Sequence, residues 1–493
     1  MNLWFLLLLG LITYLMVQRS VGQITRTPVW VLWFVLMTPA FVLTGWTAVN
    51  RATSAPQGLM LFLFLACPLL YWLLFQWGRR IPGETQTAPT ASEPQSAAIN
   101  PTSEPPTAVR PIEPTEETQL RNCFPWSTYY IQNIEYRPQA IICRGQLRTK
   151  PTEAYKQIKA NIEEHFGDRF LLIFQEGVNG KPIFVLVPNT QTAKGAINER
   201  LTKPLLALAL VAATFITTAI AGLEIADVKP VEWRANSALL IQGLPYAFGI
   251  MTILGFHEMG HYLVARYYKI RATLPYFIPM PSFFFLLGTL GAFIQMKSPV
   301  PNRKALFDVS IAGPLAGFIV TLPLLIWGLA NSQIVDLPKE SKLLDLDALN
   351  PRYSILLAFI SKLALGSNLT PEHAINMHPI AVAGFLGLIV TALNLMPVGQ
   401  LDGGHIVHAM LGQRNAVVIG QVSRLLLFAL SFLQQDFLLW AVILLFMPLF
   451  DEPALNDVTE LDNKRDMAGL FVMALLVIII LPVPQVLANL LQI

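Results

Sequence analysis

Charge is what this chain has least of. Asp, Glu, Lys and Arg make up only 13% of its 493 residues, against 54% hydrophobic ones, well below the roughly 25% charged residues of a soluble domain. A net charge of +3 is too small to imply a nucleic-acid partner, and none is expected. Cysteine is nearly as scarce: Cys67, Cys123 and Cys143 are all there is, too few for a disulfide framework. Cys67 lies in an apolar run and is expected as a packed core thiol. Cys123 and Cys143 could pair, but the topology below puts them in a reducing compartment. The N-terminus has neither a basic n-region nor a small-residue cleavage site, so it does not read as a cleaved secretory signal; residues 2–17 are expected as a short retained span. Residues 81–119 have almost no large apolar side chains and are rich in Pro, Thr, Ser, Glu and Ala. Such a segment cannot bury a core, and a disordered linker is expected.

What the chain does have is apolar runs long enough to cross a bilayer. Those near 28–49 and 58–78 complete an N-terminal membrane region, 1–80. Arg19 and Arg26 follow the first span, and Arg79 and Arg80 follow the third; basic residues stay cytoplasmic, which fits an outside N-terminus. Residues 120–198 read as a small soluble α+β insert. Strands are expected at 129–134, 139–143, 170–174 and 182–187, with a helix at 152–166 between Pro151 and Gly167. Its own core should be marginal, and it reads as a packing or docking module, since it carries no acid–base constellation. Residues 199–493 form the membrane core. Spans are expected near 204–223, 238–264, 307–330 and 379–396, with further apolar material at 353–366, 416–449 and 467–490. The stretch 275–296 is apolar but broken by prolines and glycines, and basic residues lie at both of its ends. It should dip into the bilayer and return, as irregular backbone does only against protein or a wet cavity. The fold class is therefore mainly α: a polytopic helical membrane protein with a re-entrant segment and a small soluble α+β insert.

Against this scarcity of charge, His257-Glu258-Met259-Gly260-His261 stands in an apolar run that has no charged residue from Ala238 to Phe256. Ionisable groups at membrane depth are costly and need a purpose. On a helix, residues four apart share a face, so His257 and His261 can grip one ion. Glu258 stands where a base that activates water would stand. A catalytic zinc takes three protein ligands and one open position. The candidate third ligand is Asp402, which follows Pro397 and precedes Gly403 and Gly404. Asn394 is a polar amide on an apolar segment, able either to donate to a developing oxyanion or to bond a neighbouring helix. His405 and His408 lie three apart, but solvated helix histidines are the simpler reading, as is a solvated connection for the acidic stretch 451–466. Gly313 and Gly317 form a G-x-x-x-G and are expected to serve close helix packing.

The sequence resembles the site-2 protease family of intramembrane metalloproteases. The resemblance rests on Phe256 to Tyr262 and on Asn394 to Gly403, an N-x-x-P-x-x-x-L-D-G, reinforced by Gly288 to Pro299 and Ala312 to Gly317. It covers about 204–450. It implies His257, His261 and Asp402 as ligands of Zn2+, Glu258 as general base and Asn394 as an oxyanion or substrate contact. The loops are too short for the PDZ domain of many bacterial members. That absence, with the linker and the insert, is similar to the plastid and cyanobacterial branch, the ethylene-dependent gravitropism-deficient and yellow-green proteins. The implied activity is endopeptidase cleavage of the transmembrane helices of membrane-protein substrates, in the lipid bilayer of a plasma or thylakoid membrane. Span counting and the basic residues Arg266, Lys269 and Arg271 just after the motif place the expected active site toward the cytoplasmic side. Two rivals come from other classes. A non-catalytic binding protein or chaperone would keep the fold but has no use for Glu258. A transporter with a metal site would show paired repeats, and none is seen.

Overall fold

The computed structural model describes residues 27–49, 112–137, 139–177, 180–189, 203–282, 287–337, 346, 348–433, 437–448 and 451–493, with isolated positions between 10 and 18 and between 63 and 77. The chain divides into two compact units, 1–103 and 104–493. In the first, helix α1 (Val29–Val49) carries Val35 into a small cluster with Leu63 and Cys67. Cys67 is buried, as a core thiol should be. The spans expected at 2–17 and 58–78, and most of the linker, lie outside the described residues.

The second unit opens with the α+β module. Helix α2 (Pro114–Asn122) precedes β1 (Tyr129–Arg137), β2 (Ala140–Leu147), α3 (Pro151–Phe166), β3 (Phe170–Glu176) and β4 (Pro182–Pro188). The four strands form an antiparallel sheet in the order β1-β2-β4-β3. Alternation puts Leu172 and Phe174 of β3 and Phe184 and Leu186 of β4 on the face that α3 covers with Ala154, Ile158 and Ile162. Phe174 and Phe184 stack with ring centres 4.1 Å apart, and burying each such ring is worth about 1.5–3 kcal/mol. The module begins earlier than the sequence suggested. Ile112 and Leu120 are buried in its core, and Glu116 pairs with Arg169 at 2.6 Å. These two apolar residues, one just before α2 and one within it, were hidden by the Pro/Thr-rich composition around them.

The membrane core follows as α4 (Pro204–Ile225), α5 (Pro230–Ala235), a short 3-10 turn, and α6 (Leu244–Tyr267). A hairpin of β5 (Tyr276–Pro279) and β6 (Thr289–Phe293) comes next, then α7 (Arg303–Ala330) and β7 (Gln333–Asp336). After α8 (Ile355–Leu365) and β8 (His373–Asn376), which pairs with β7, come α9 (Pro379–Leu395) and α10 (Asp402–Leu411). Helices α11 (Gln413–Leu433), α12 (Leu438–Phe446), α13 (Asn463–Ile480) and α14 (Gln485–Leu491) complete the chain. Among the described residues, α1, α4, the turn with α6, and α7 are each long and apolar enough to cross a membrane. Helices α13 and α14 could make a fifth span, bent by 81°. Helices α6, α7 and α9 pack on one another at the centre. The buried side of α6 runs Tyr246, Ile250, Ile253, His257, His261 and Ala265, the three-to-four spacing of a helix face, so the polar pair sits on the same stripe as the apolar core. Within the apolar stretch 275–296, β5 and β6 pair antiparallel, Tyr276 opposite Phe293 and Ile278 opposite Gly291, so their backbone groups bond across the pair. Arg424, which interrupts the apolar run of α11, is buried and donates to the Met447 and Pro448 carbonyls at 2.8 and 3.2 Å.

Candidate metal centre

Helix α6 presents His257 and His261 one turn apart, and the end of α9 brings up the rest. Pro397 cannot continue a helix, and α9 stops at Leu395. The chain then turns back into α10, whose first residue is Asp402. This turn is tight because Gly403 and Gly404 allow it: a Cβ on either would fall within 1.9 and 2.2 Å of the Leu395 and Gly399 carbonyl oxygens. The Asp402 carboxylate thereby reaches 3.5 Å from His257 Nε2 and 3.3 Å from His261 Nε2, and the two Nε2 atoms are 3.2 Å apart.

Those three separations can be tested against a tetrahedral ion. Ligand atoms about 2.0–2.1 Å from one zinc, at tetrahedral angles, stand roughly 3.3 Å from each other. The observed edges are 3.2, 3.3 and 3.5 Å, so one face of such a tetrahedron is already built. No other grouping of three or more His, Cys, Asp or Glu side chains with this closeness occurs among the described residues. The tautomer also fits. His261 Nδ1 lies 2.8 Å from the Val309 carbonyl oxygen of α7. A carbonyl only accepts, so Nδ1 carries the proton and Nε2 keeps its lone pair for the metal.

Helix α7 shapes the site by what it leaves out. A Cβ on Gly313 would lie 2.0 Å from His261 Nε2, and one on Gly317 would lie 3.2 Å from His257 Cβ. The G-x-x-x-G read from the sequence as helix packing is therefore packing against the two imidazoles themselves. Nothing in the motif shows which helix it would face.

The cavity over the site has a volume of about 280 Å³ and is lined by His257, Glu258, His261, Asn394 and Asp402, and by Phe293 and Ile294 from the hairpin. Glu258 is buried, with the Ile294 backbone amide directed at its carboxylate. Asn394 lines the cavity, its side-chain nitrogen 3.3 Å from His257 Nε2 on the neighbouring helix α6. His405 and Gln400 also line the cavity. Sequence reasoning gave His405 no part here. It lies one turn beyond Asp402, and that i, i+3 spacing was the available signal.

Two other readings need correction. His408 is wholly buried and not solvated, held between Asp451 and Asp457. The stretch beginning at 451 is therefore not a simple solvated connection, since Asp457 is buried with it. Composition alone made this stretch look exposed. Asp451 and Asp457 are tolerated inside because the buried His408 ring meets one carboxylate with each nitrogen.

The chain is similar to proteins of one kind. Residues 245–432 match the model of peptidase family M50, and residues 118–194 match that of the EGY3 middle domain. The probable zinc metalloprotease EGY2, chloroplastic, of Arabidopsis thaliana is 31% identical over 373 residues, 73% of this chain and 63% of that protein. The probable zinc metalloprotease EGY1, chloroplastic, of the same plant is 34% identical over 264 residues, 53% of this chain and 47% of that protein. The probable zinc metalloprotease EGY3, chloroplastic, of Oryza sativa subsp. indica is 26% identical over 381 residues, 74% and 64% of the two chains. The alignments thus span less than two thirds of these relatives' lengths. No solved structure matches.

Proposed function

The chain belongs to peptidase family M50, and on that premise we propose that it is a zinc-dependent intramembrane endopeptidase that cuts transmembrane helices of membrane-protein substrates. The observation that carries this reading is the set of three ligand atoms spaced as one face of a tetrahedron, with the buried Glu258 carboxylate beside it. His257, His261 and Asp402 would hold the ion. A bound zinc supplies Lewis acidity, polarising the scissile carbonyl and acidifying a water near neutrality.

The chain's own residues do the rest. Glu258 accepts the proton of the attacking water and returns it to the leaving amine. Asn394, which lines the cavity, donates its amide N–H to the oxygen on which charge develops. A substrate helix hides its carbonyls in its own hydrogen bonds and must unwind before attack. The β5–β6 hairpin offers it a new partner, because Phe293 and Ile294 line the cavity next to Glu258. An extended peptide added to that edge would gain main-chain bonds and present its carbonyl to the site. The chloroplastic relatives favour a plastid-type membrane as the setting. The basic residues Arg266, Lys269 and Arg271 just beyond the motif support a site toward the cytoplasmic or equivalent face.

The test is hydrolysis of a panel of single-span helices by purified protein in detergent, beside Glu258→Gln. Cutting should vanish in the variant while bound zinc, measured by elemental analysis, stays at the wild-type level. Equal cutting by the two proteins would refute Glu258 as the base. A pure binding protein, the rival reading, would cut nothing in either form.

A further inference from the structure

The segment that joins α12 to α13 is gripped from two sides. On one side it extends the sheet of the α+β module. The Phe174 N–H of β3 donates to the Leu455 carbonyl at 2.7 Å, and the Asp457 N–H donates to the Phe174 carbonyl at 2.8 Å. The same residues also bond the approach to α7, Leu455 N–H to the Val300 carbonyl at 2.9 Å and Asn456 N–H to the Pro301 carbonyl at 3.1 Å. On the other side it meets α10. His408 Nδ1 is 2.8 Å from Asp451 Oδ2, and Nε2 is 3.0 Å from the Asp457 carboxylate. Ionised carboxylates only accept, so both ring nitrogens carry protons and the group is an imidazolium between two anions. His405 Nδ1 lies 2.7 Å from the same Asp451 oxygen, though off the hydrogen-bond direction.

Helix α10 has ten residues, too few to hold its own shape or direction in isolation. Its ends must therefore be fixed by neighbours. The first turn, with Asp402, is seated by Gly403 and Gly404 on the end of α9. The last turn is held by His408 and by Arg303 Nε, which donates to the Ala409 carbonyl at 2.8 Å. If the last turn is released, the helix can pivot on its glycines. Asp402 then moves, and a metal ligand keeps its bond only within about 0.2 Å.

We propose that His408 is a positioning residue: by clamping the Asp402-bearing helix to residues 451–457, which the module's β3 also holds, it couples the docking of the soluble module to the grip on the metal. The inference rests on the metal-centre reading above. It gives the module a task that its own residues do not reveal, since a partner that pulls β3 away from Leu455 and Asp457 would loosen the third ligand.

The experiment uses the full chain in detergent micelles. Zinc affinity is measured by competition with a chromogenic chelator, and hydrogen exchange is followed at the Phe174 and Asp457 amides. His408→Gln is expected to weaken zinc binding roughly tenfold, the low end for a residue that orients a ligand. Exchange at the two strap amides should rise while the interior of α6 stays protected. Asp457→Asn, which keeps an acceptor but not the charge, should fall between wild type and His408→Gln, and it is decisive on its own if His408→Gln does not fold. Zinc affinity within twofold of wild type in both variants would overturn the proposal. So would a loss accompanied by uniformly faster exchange, which marks general destabilisation. A wild-type chain that takes up no zinc would refute the metal reading itself, and that failure is seen before any variant is compared.

Discussion

Gly313→Ala adds one methyl group and should disable the metal centre. The new Cβ would lie 2.0 Å from His261 Nε2, with two further ring carbons at 2.4 and 2.5 Å. To reach even a 3.0 Å contact, the ring nitrogen must retreat by roughly 1 Å, about five times the tolerance of a metal–ligand bond. The ring cannot simply slide, because its Nδ1 is tied to the Val309 carbonyl at 2.8 Å on the same helix that bears the new methyl. Losing an orienting partner alone lowers metal affinity 10–100-fold, so displacing a ligand should cost roughly 100-fold or more. Overpacking of this kind costs about 1–3 kcal/mol of stability. Gly317→Ala is the matched control: its methyl would meet His257 Cβ and Nδ1 at 3.2 and 3.3 Å, contacts that relax with shifts of a few tenths of an ångström. Its loss of affinity should stay below roughly tenfold. Chelator competition for zinc, with a melting curve for each protein, separates the two effects. If Gly313→Ala held zinc within threefold of wild type, or if both variants lost affinity equally, the assignment of His261 Nε2 as a ligand pressed by α7 would be wrong.

Other outcomes follow from the same geometry. Phe293→Pro should cut helix cleavage severely while zinc content is kept, because it spoils the strand edge beside Glu258; unchanged cleavage would remove the hairpin from the mechanism. The clamp at His408 should depend on pH in a defined sense. Burial by itself would lower the His408 pKa, but hydrogen bonds to Asp451 and Asp457 outweigh it and push it up to about 9. Burial would raise that of Asp451, but the adjacent His405 ring and the hydrogen bond with His408 bring it down to about 2. The stability from His408 is thus complete below its ordinary value of 6.5 and lost as pH rises through about 9. That from Asp451 is complete above 3.8 and lost as pH falls through about 2. Exchange at the Phe174 amide, corrected for its intrinsic rate, should therefore be slowest between these limits, and protection that increased from pH 7 to 9 would contradict the pairing. Burial pushes the Cys143 thiol up to about 12 and, together with Glu164, the Cys123 thiol up to about 11. Neither should react with iodoacetamide at pH 8 in the native chain, and both should react once it is unfolded, as mass spectrometry would show.

Much of this protein was written in local pattern. The long uncharged runs require helices in a bilayer, since backbone groups there must bond within their own segment; α4, α6 and α7 appear where those runs stand. The four-residue spacing of His257 and His261 puts both on one helix face whatever surrounds it. The alternating strands of the module were legible for the same reason, because period and composition are properties of neighbours in sequence. Composition misled where an isolated contact outweighed it: Ile112 and Leu120 belong to the module's core despite their polar setting, and Asp457 is buried despite its acidic one.

What the sequence could not decide is which distant parts meet. Asp402 stands 141 positions after His261, and only the packing of α9 on α6 and α7 brings its oxygen to 3.3 Å from that ring. Gly313 and Gly317 look like any small-residue pair until α7 is seen to lie against the imidazoles. His408 is one more helix histidine until the chain returns 43 residues later with Asp451. Spacing along the chain fixes the direction of a side chain relative to its own helix; the approach of another element is set by the sum of many weak apolar contacts that no short motif encodes.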